Sequence, residues 1–159
     1  MGPRTTPEEA PPADAPPRGT QPRDTRPQGT RPGGAPPDAP PGGPAVTVER
    51  LRAVCLALPE VEERLSHGEP TWFAGAGRRA RVFAMLADHH HDDRLAFWCP
   101  AAAGAQEFLV AEEPERFFRP PYVGHRGWVG VRLDVAPLDW ERIEDLVADA
   151  HALVTGPAP

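Results

Sequence analysis

The chain has 159 residues, a formal net charge of −6, a mean hydropathy of −0.47, 23 prolines, two cysteines and no lysine. Two cysteines in a chain of this length do not make a disulfide-stapled scaffold, and no 18-residue apolar run is present to cross a bilayer. No apolar segment follows the N-terminus in the manner of a secretory leader, so a soluble, cytoplasmic protein without a membrane partner is expected.

Residues 1–45 contain 14 of the prolines and, after Met1, no Val, Ile, Leu, Met or aromatic residue. Such a segment cannot bury enough apolar surface to offset the entropy of ordering it, and a disordered Pro/Gly-rich tail is predicted. Its five arginines face five acids, so it lacks the cation excess of a polybasic arm. A flexible C-terminus is expected at 155–159. Between them, 46–154 forms one small domain, with twelve arginines against eighteen acids.

In chain order, Val48, Leu51, Val54, Cys55 and Leu58 are spaced as one buried stripe of a helix over 48–58, with Thr47 as N-cap, Glu49 in the first turn and Pro59 as terminator. Three strand-like runs follow at 67–74, 80–87 and 94–99, the first two separated by Gly75-Ala76-Gly77 and the last two by the polar run 88–93. In the second run Phe83 and Met85 alternate with Val82, Ala84 and Leu86; apolar on both faces, it should be a central strand. Leu95 and Phe97 should share one face of the third run, with Trp98 on the other. A helix over 101–110 is read from its alanines, followed by a turn opened by Pro114. Trp128 to Leu133 alternates as a fourth strand, and 140–154 as an amphipathic helix capped by Asp139 that buries Ile143, Leu146, Val147, Ala150, Leu153 and Val154. The order predicts an α+β fold, an antiparallel sheet of about four strands packed against N- and C-terminal helices.

The segments LALPEVEE (56–63), SHGEPTWF (66–73), RVFAML (81–86) and PERFFRPPYVGHRGWVGVRLD (114–134), in that order before an amphipathic last helix, resemble the MmcQ/YjbR family. The resemblance covers nearly all of 46–154 and none of the tail. It implies a small CyaY-like, frataxin-related domain and a DNA-binding role. Two groups of residues suit that role: Arg78, Arg79 and Arg81 near the first hairpin, and Arg116, Arg119, Tyr122, His125, Arg126 and Trp128 in the segment before the last strand. Cations there would meet phosphate, and aromatics would meet bases. An acidic domain can do this only by segregating its charge, so weak, salt-sensitive binding is expected.

A second possibility of a different class is a module that binds a protein or a small acidic ligand in a groove near Tyr122, His125, Arg126 and Trp128. Plainer readings stand beside both: Pro120, Pro121, Tyr122 and Trp128 as a packed loop closing one end of the sheet, and Gly124, Gly127 and Gly130 as turn or packing positions. His67, with Glu62, Glu63 and His125 as potential partners, is most simply a surface histidine at a strand entry. The run His89-His90-His91-Asp92-Asp93 invites a metal, but adjacent loop residues seldom converge on one ion. Glu49, Glu60, Glu62 and Glu63 form an acidic face, which the frataxin relationship would link to iron and simple solvation explains as well. Cys55 and Cys99 are expected as reduced, buried thiols. No nucleophile elbow, metal motif or cofactor fingerprint appears, and Ser66 beside His67 is adjacency rather than a triad; a non-enzymatic domain without cofactor is expected.

Overall fold

The computed structural model describes residues 42–89 and 92–157. The elements are α1 (Gly43–Leu56), β1 (Val61–Ser66), β2 (Glu69–Ala74), β3 (Arg81–Asp88), β4 (Leu95–Pro100), α2 (Ala105–Glu112), β5 (Phe117–Phe118), β6 (Trp128–Arg132) and α3 (Trp140–Thr155). All strand pairs are antiparallel, in the spatial order β1-β2-β3-β4-β6-β5. The α+β architecture follows the reading of the sequence, with six strands in place of four. The expected tail at 1–45 and the C-terminal end at 158–159 lie largely outside the described residues.

Both additional strands have physical reasons for being hard to read. β1, with the sequence VEERLS, is an edge strand rich in charge, and Glu62 and Arg64 on its exposed side form an ion pair at 2.6 Å. A two-residue turn joins it to β2, with His67 at φ 54° and Gly68 at φ 84°. Positive φ at both positions gives the turn the twist of a tight hairpin, and Gly and His tolerate it. β5 is two residues long and borrows its hydrogen bonds from β6, so the turn expected at Pro114 leads into the sheet edge.

The helices cover one face of the sheet. Leu51 and Cys55 of α1, Leu109 of α2, and Ile143, Val147 and Ala150 of α3 close over Trp72, Phe83, Leu86, Leu95, Phe97, Phe117, Val129 and Val131. α1 begins earlier than expected, at Gly43, because Gly42 in left-handed geometry and Pro44 in the first turn start it. Thr47 therefore lies inside the helix, where its Oγ1 donates to the Gly43 carbonyl at 3.2 Å, and Glu49 is past the first turn. α2 also starts later than expected, since Gly104 at φ 81° sits at its N-cap and leaves 101–103 outside the helix. Asp139 caps α3 as predicted, accepting from the Arg142 amide at 3.1 Å.

β3 departs from simple alternation. Trp72 pairs with Ala84 but Phe73 pairs with Val82, so Phe83 is an extra residue opposite that step. This bulge places Phe83, Ala84 and Leu86 in the main core, whereas Val82, Met85 and Ala87 join Trp98, Phe118, Val123 and Trp128 on the opposite face. The expected grouping of Phe83 with Met85 is thus broken by one inserted residue. Among the described residues no helix lies over that opposite face.

Candidate functional site

The uncovered face is roofed at one side by residues 119–127, which leave β5 and return to β6. This loop holds itself together through its backbone: Gly124 N–H donates to Pro120 O at 3.0 Å, Val123 N–H to Pro121 O at 2.7 Å and Arg126 N–H to Val123 O at 2.9 Å. Gln106 of α2, 4% exposed, fastens it from beneath by donating its Nε2 to the carbonyls of Gly124, at 2.7 Å, and Trp128. A buried amide with two acceptors is a strong local constraint, because removing it strands both carbonyls. Two glycines permit the close packing. A Cβ on Gly124 would come within 2.5 Å of Arg119 Cγ, and one on Gly130 within 2.4 Å of the Phe118 ring.

Beneath Tyr122 and Val123 lies a groove of about 420 Å³ lined by Met85, Leu86, Ala87 and Trp98, with Ser66, His67 and Glu69 along one side. A second hollow of about 680 Å³ shares Met85 and Val123 with it and continues to Arg81, Arg126 and the end of α3 at Leu153 and Val154. Leu153, expected in the core, therefore lines this hollow and is exposed. The two hollows form one trough with an apolar floor, a carboxylate and an imidazole at one end, and two guanidinium groups at the other.

The structure places eight of the sequence candidates as follows. Arg78 and Arg79 lie in a 3-10 turn at Gly77–Arg79, and Arg81 opens β3; all three are exposed. Arg79 and Arg81 line a shallow depression with Glu60 and Thr155. Arg126 lines the second hollow together with Arg81. Arg119 is exposed, with its stem against Gly124. Tyr122, at φ 64°, is held 75% exposed on the rim, and His125 is exposed beside Arg126. Trp128 is 8% exposed and packs with Trp98 and Ala87, so little of its ring is open to a partner.

The arginines fall into two classes. Of the twelve in the domain, Arg50, Arg52, Arg64, Arg94, Arg116, Arg132 and Arg142 each have a carboxylate oxygen within 4.0 Å. The remaining five are Arg78, Arg79, Arg81, Arg119 and Arg126, and among the described residues none has such a partner. Those pairs occupy Glu49, Glu62, Glu63, Asp92, Glu113, Asp134 and Glu144, whereas of the unneutralised cations Arg81 and Arg126 line the second hollow and Arg79 lies in the depression beside Arg81. Other suggestive groups are committed to structure. Glu63 accepts from Arg52 Nε and from Trp72 Nε1 at 3.0 Å, and Glu62 is paired with Arg64, so neither serves His67. His89 meets Asp88, which raises its pKa, while His90 and His91 lie outside the described residues. Cys55 and Cys99 are buried and unbridged; burial pushes the Cys99 thiol up to about 12 and raises that of Cys55 as well, so both stay protonated.

Sequence reasoning missed Gln106, Glu69, Met85 and Trp98 as parts of this region. Gln106 carried one signal, a lone amide in an Ala-rich helix on the buried side; the others become neighbours only once the bulge in β3 is known.

The YjbR family model matches residues 56–153. A crystal structure of the Deinococcus radiodurans protein DR2400, with a DUF419 domain, is similar in fold: TM-score 0.60, 22% identity, covering 69% of this chain and 78% of that one. No curated protein matches the chain. With well over half its length matched by the family model, the chain belongs to the YjbR family.

Proposed function

We propose that this domain is a non-enzymatic nucleic-acid-binding module that grips phosphate through Arg78, Arg79, Arg81, Arg119 and Arg126. The observation that carries the reading is the division of the arginines: those without a carboxylate neighbour are Arg78, Arg79 and Arg81 at the turn into β3 and Arg119 and Arg126 on the 119–127 loop, and Arg81 and Arg126 line the second hollow together. A guanidinium already neutralised by a carboxylate gains little from phosphate, whereas a free one releases condensed counterions when it binds. The long-range field of an acidic domain opposes the approach of DNA, so affinity is modest and confined to low salt.

The test is a titration of the full chain with duplex and single-stranded DNA at several salt concentrations. Wild-type protein is expected to show log K falling with log salt by roughly 0.7 to 0.9 per phosphate contacted. The Arg78→Ala, Arg79→Ala, Arg81→Ala, Arg126→Ala variant should lose most of the affinity and flatten the slope. Absence of salt-dependent binding at low ionic strength would reject the reading.

The concave, apolar trough with Trp98 and Tyr122 at its wall favours a second reading, a module for a small acidic ligand or a protein segment in the same place. Under it, substitutions in the trough floor would matter and DNA would not bind.

A further inference from the structure

Resting on that reading, we infer that the trough takes single-stranded nucleic acid, with one unstacked base seated under Tyr122 and its amino-bearing edge turned to Glu69. Three observations converge on this. The compartment beneath Tyr122 and Val123 is walled by Met85, Leu86, Ala87 and Trp98, which suits a flat, weakly polar ring system. Its polar side holds a carboxylate, an imidazole and a hydroxyl from Glu69, His67 and Ser66, and no arginine. The cations lie at the other end, where Arg81 and Arg126 line the continuation of the same trough past the shared residues Met85 and Val123.

That arrangement is complementary to a nucleotide rather than to a simple anion. A phosphate would be repelled by Glu69 and drawn to Arg81, about 10 Å along β3 from Met85 at strand spacing once the bulge is counted, and to Arg126 in the same hollow. A base with an exocyclic amine presents a donor, and a carboxylate has several lone-pair directions in which to accept it alongside its other contacts. The left-handed backbone of Tyr122 and the Gly124-to-Pro120 hydrogen bond fix the main chain that carries its exposed ring at the rim. In a duplex the base faces are stacked and the amino edge is paired, so neither can be offered to this compartment.

The experiment compares fluorescence-detected binding of oligo(dC), oligo(dT) and a duplex of equal length to the full chain and to Tyr122→Ala, Glu69→Ala and the four-arginine variant. Expected are tighter binding of oligo(dC) than of either other probe, a loss of about 5- to 150-fold for oligo(dC) in Tyr122→Ala with the duplex unchanged, and equal affinity for oligo(dC) and oligo(dT) in Glu69→Ala. Tyr122 is exposed, so its replacement should not disturb folding. Arginine-dependent binding that ignores strandedness, base and Tyr122 overturns this inference and leaves the phosphate-binding reading standing. Failure of every oligonucleotide to bind overturns both, as a peptide-binding trough would require.

Discussion

The two faces of the sheet come from the same strands and yet have different fates. On one, Phe83, Phe97 and Val131 are sealed beneath α1 and α3; on the other, Trp98 is buried but Val82 and Met85 beside it are covered only in part. The sealed face supplies stability, and the open face retains apolar surface that no helix among the described residues covers. Partial cover with free cations at its margin is what a binding surface requires.

The sharpest way to break this comparison is to cut both faces of one strand. Phe83→Ala should cost about 3–5 kcal/mol by urea denaturation, and Met85→Ala on the open face about 1 kcal/mol or less. Equal costs would mean the open face is as structural as the core. Gln106→Ala should come next, at about 1–3 kcal/mol, because two buried carbonyls lose their donor; hydrogen exchange should show the 119–127 loop loosening before the sheet does. Asp139→Ala removes the cap of α3 and should lower stability by about 1 kcal/mol with no effect on the trough. The four-arginine variant should change stability by no more than about 0.5 kcal/mol, since those side chains have no carboxylate partners to lose. A loss of several kcal/mol would assign them to the fold.

The smallest effect concerns acid. Burial pushes the Asp134 carboxyl up, but the Arg132 guanidinium, at 2.9 Å, outweighs it and holds the group below its ordinary value of 3.8. A group whose pKa is lowered by folding stabilises the protein above its unfolded pKa, and that contribution disappears as pH falls through the folded value. Unfolding followed from pH 5 downward should therefore show a small loss of stability below about pH 4 that Asp134→Asn abolishes.

Much of the fold was legible because its helices and central strands bury what their periodicity displays. Leu51 and Cys55, Leu95 and Phe97, Val129 and Val131 all face the core as their spacing requires. β1 was hidden since an edge strand can be polar on both sides, and its best signal was the His67-Gly68 turn. The arginines of the candidate site were visible as residues but not as a class: which of twelve lack carboxylate partners depends on what folding brings near them. Trp128 illustrates the opposite limit, an aromatic conspicuous in sequence that folding places under a loop.

The extra residue in β3 has an effect on phase. In a strand of unbroken period two, positions 82 and 85 would point in opposite directions; with Phe83 inserted, Val82 and Met85 lie side by side and make the trough floor continuous between its two ends. Keeping Phe83 while forcing unbroken alternation would exchange inside for outside along part of the strand, so the interior and the open face are tied to one frame.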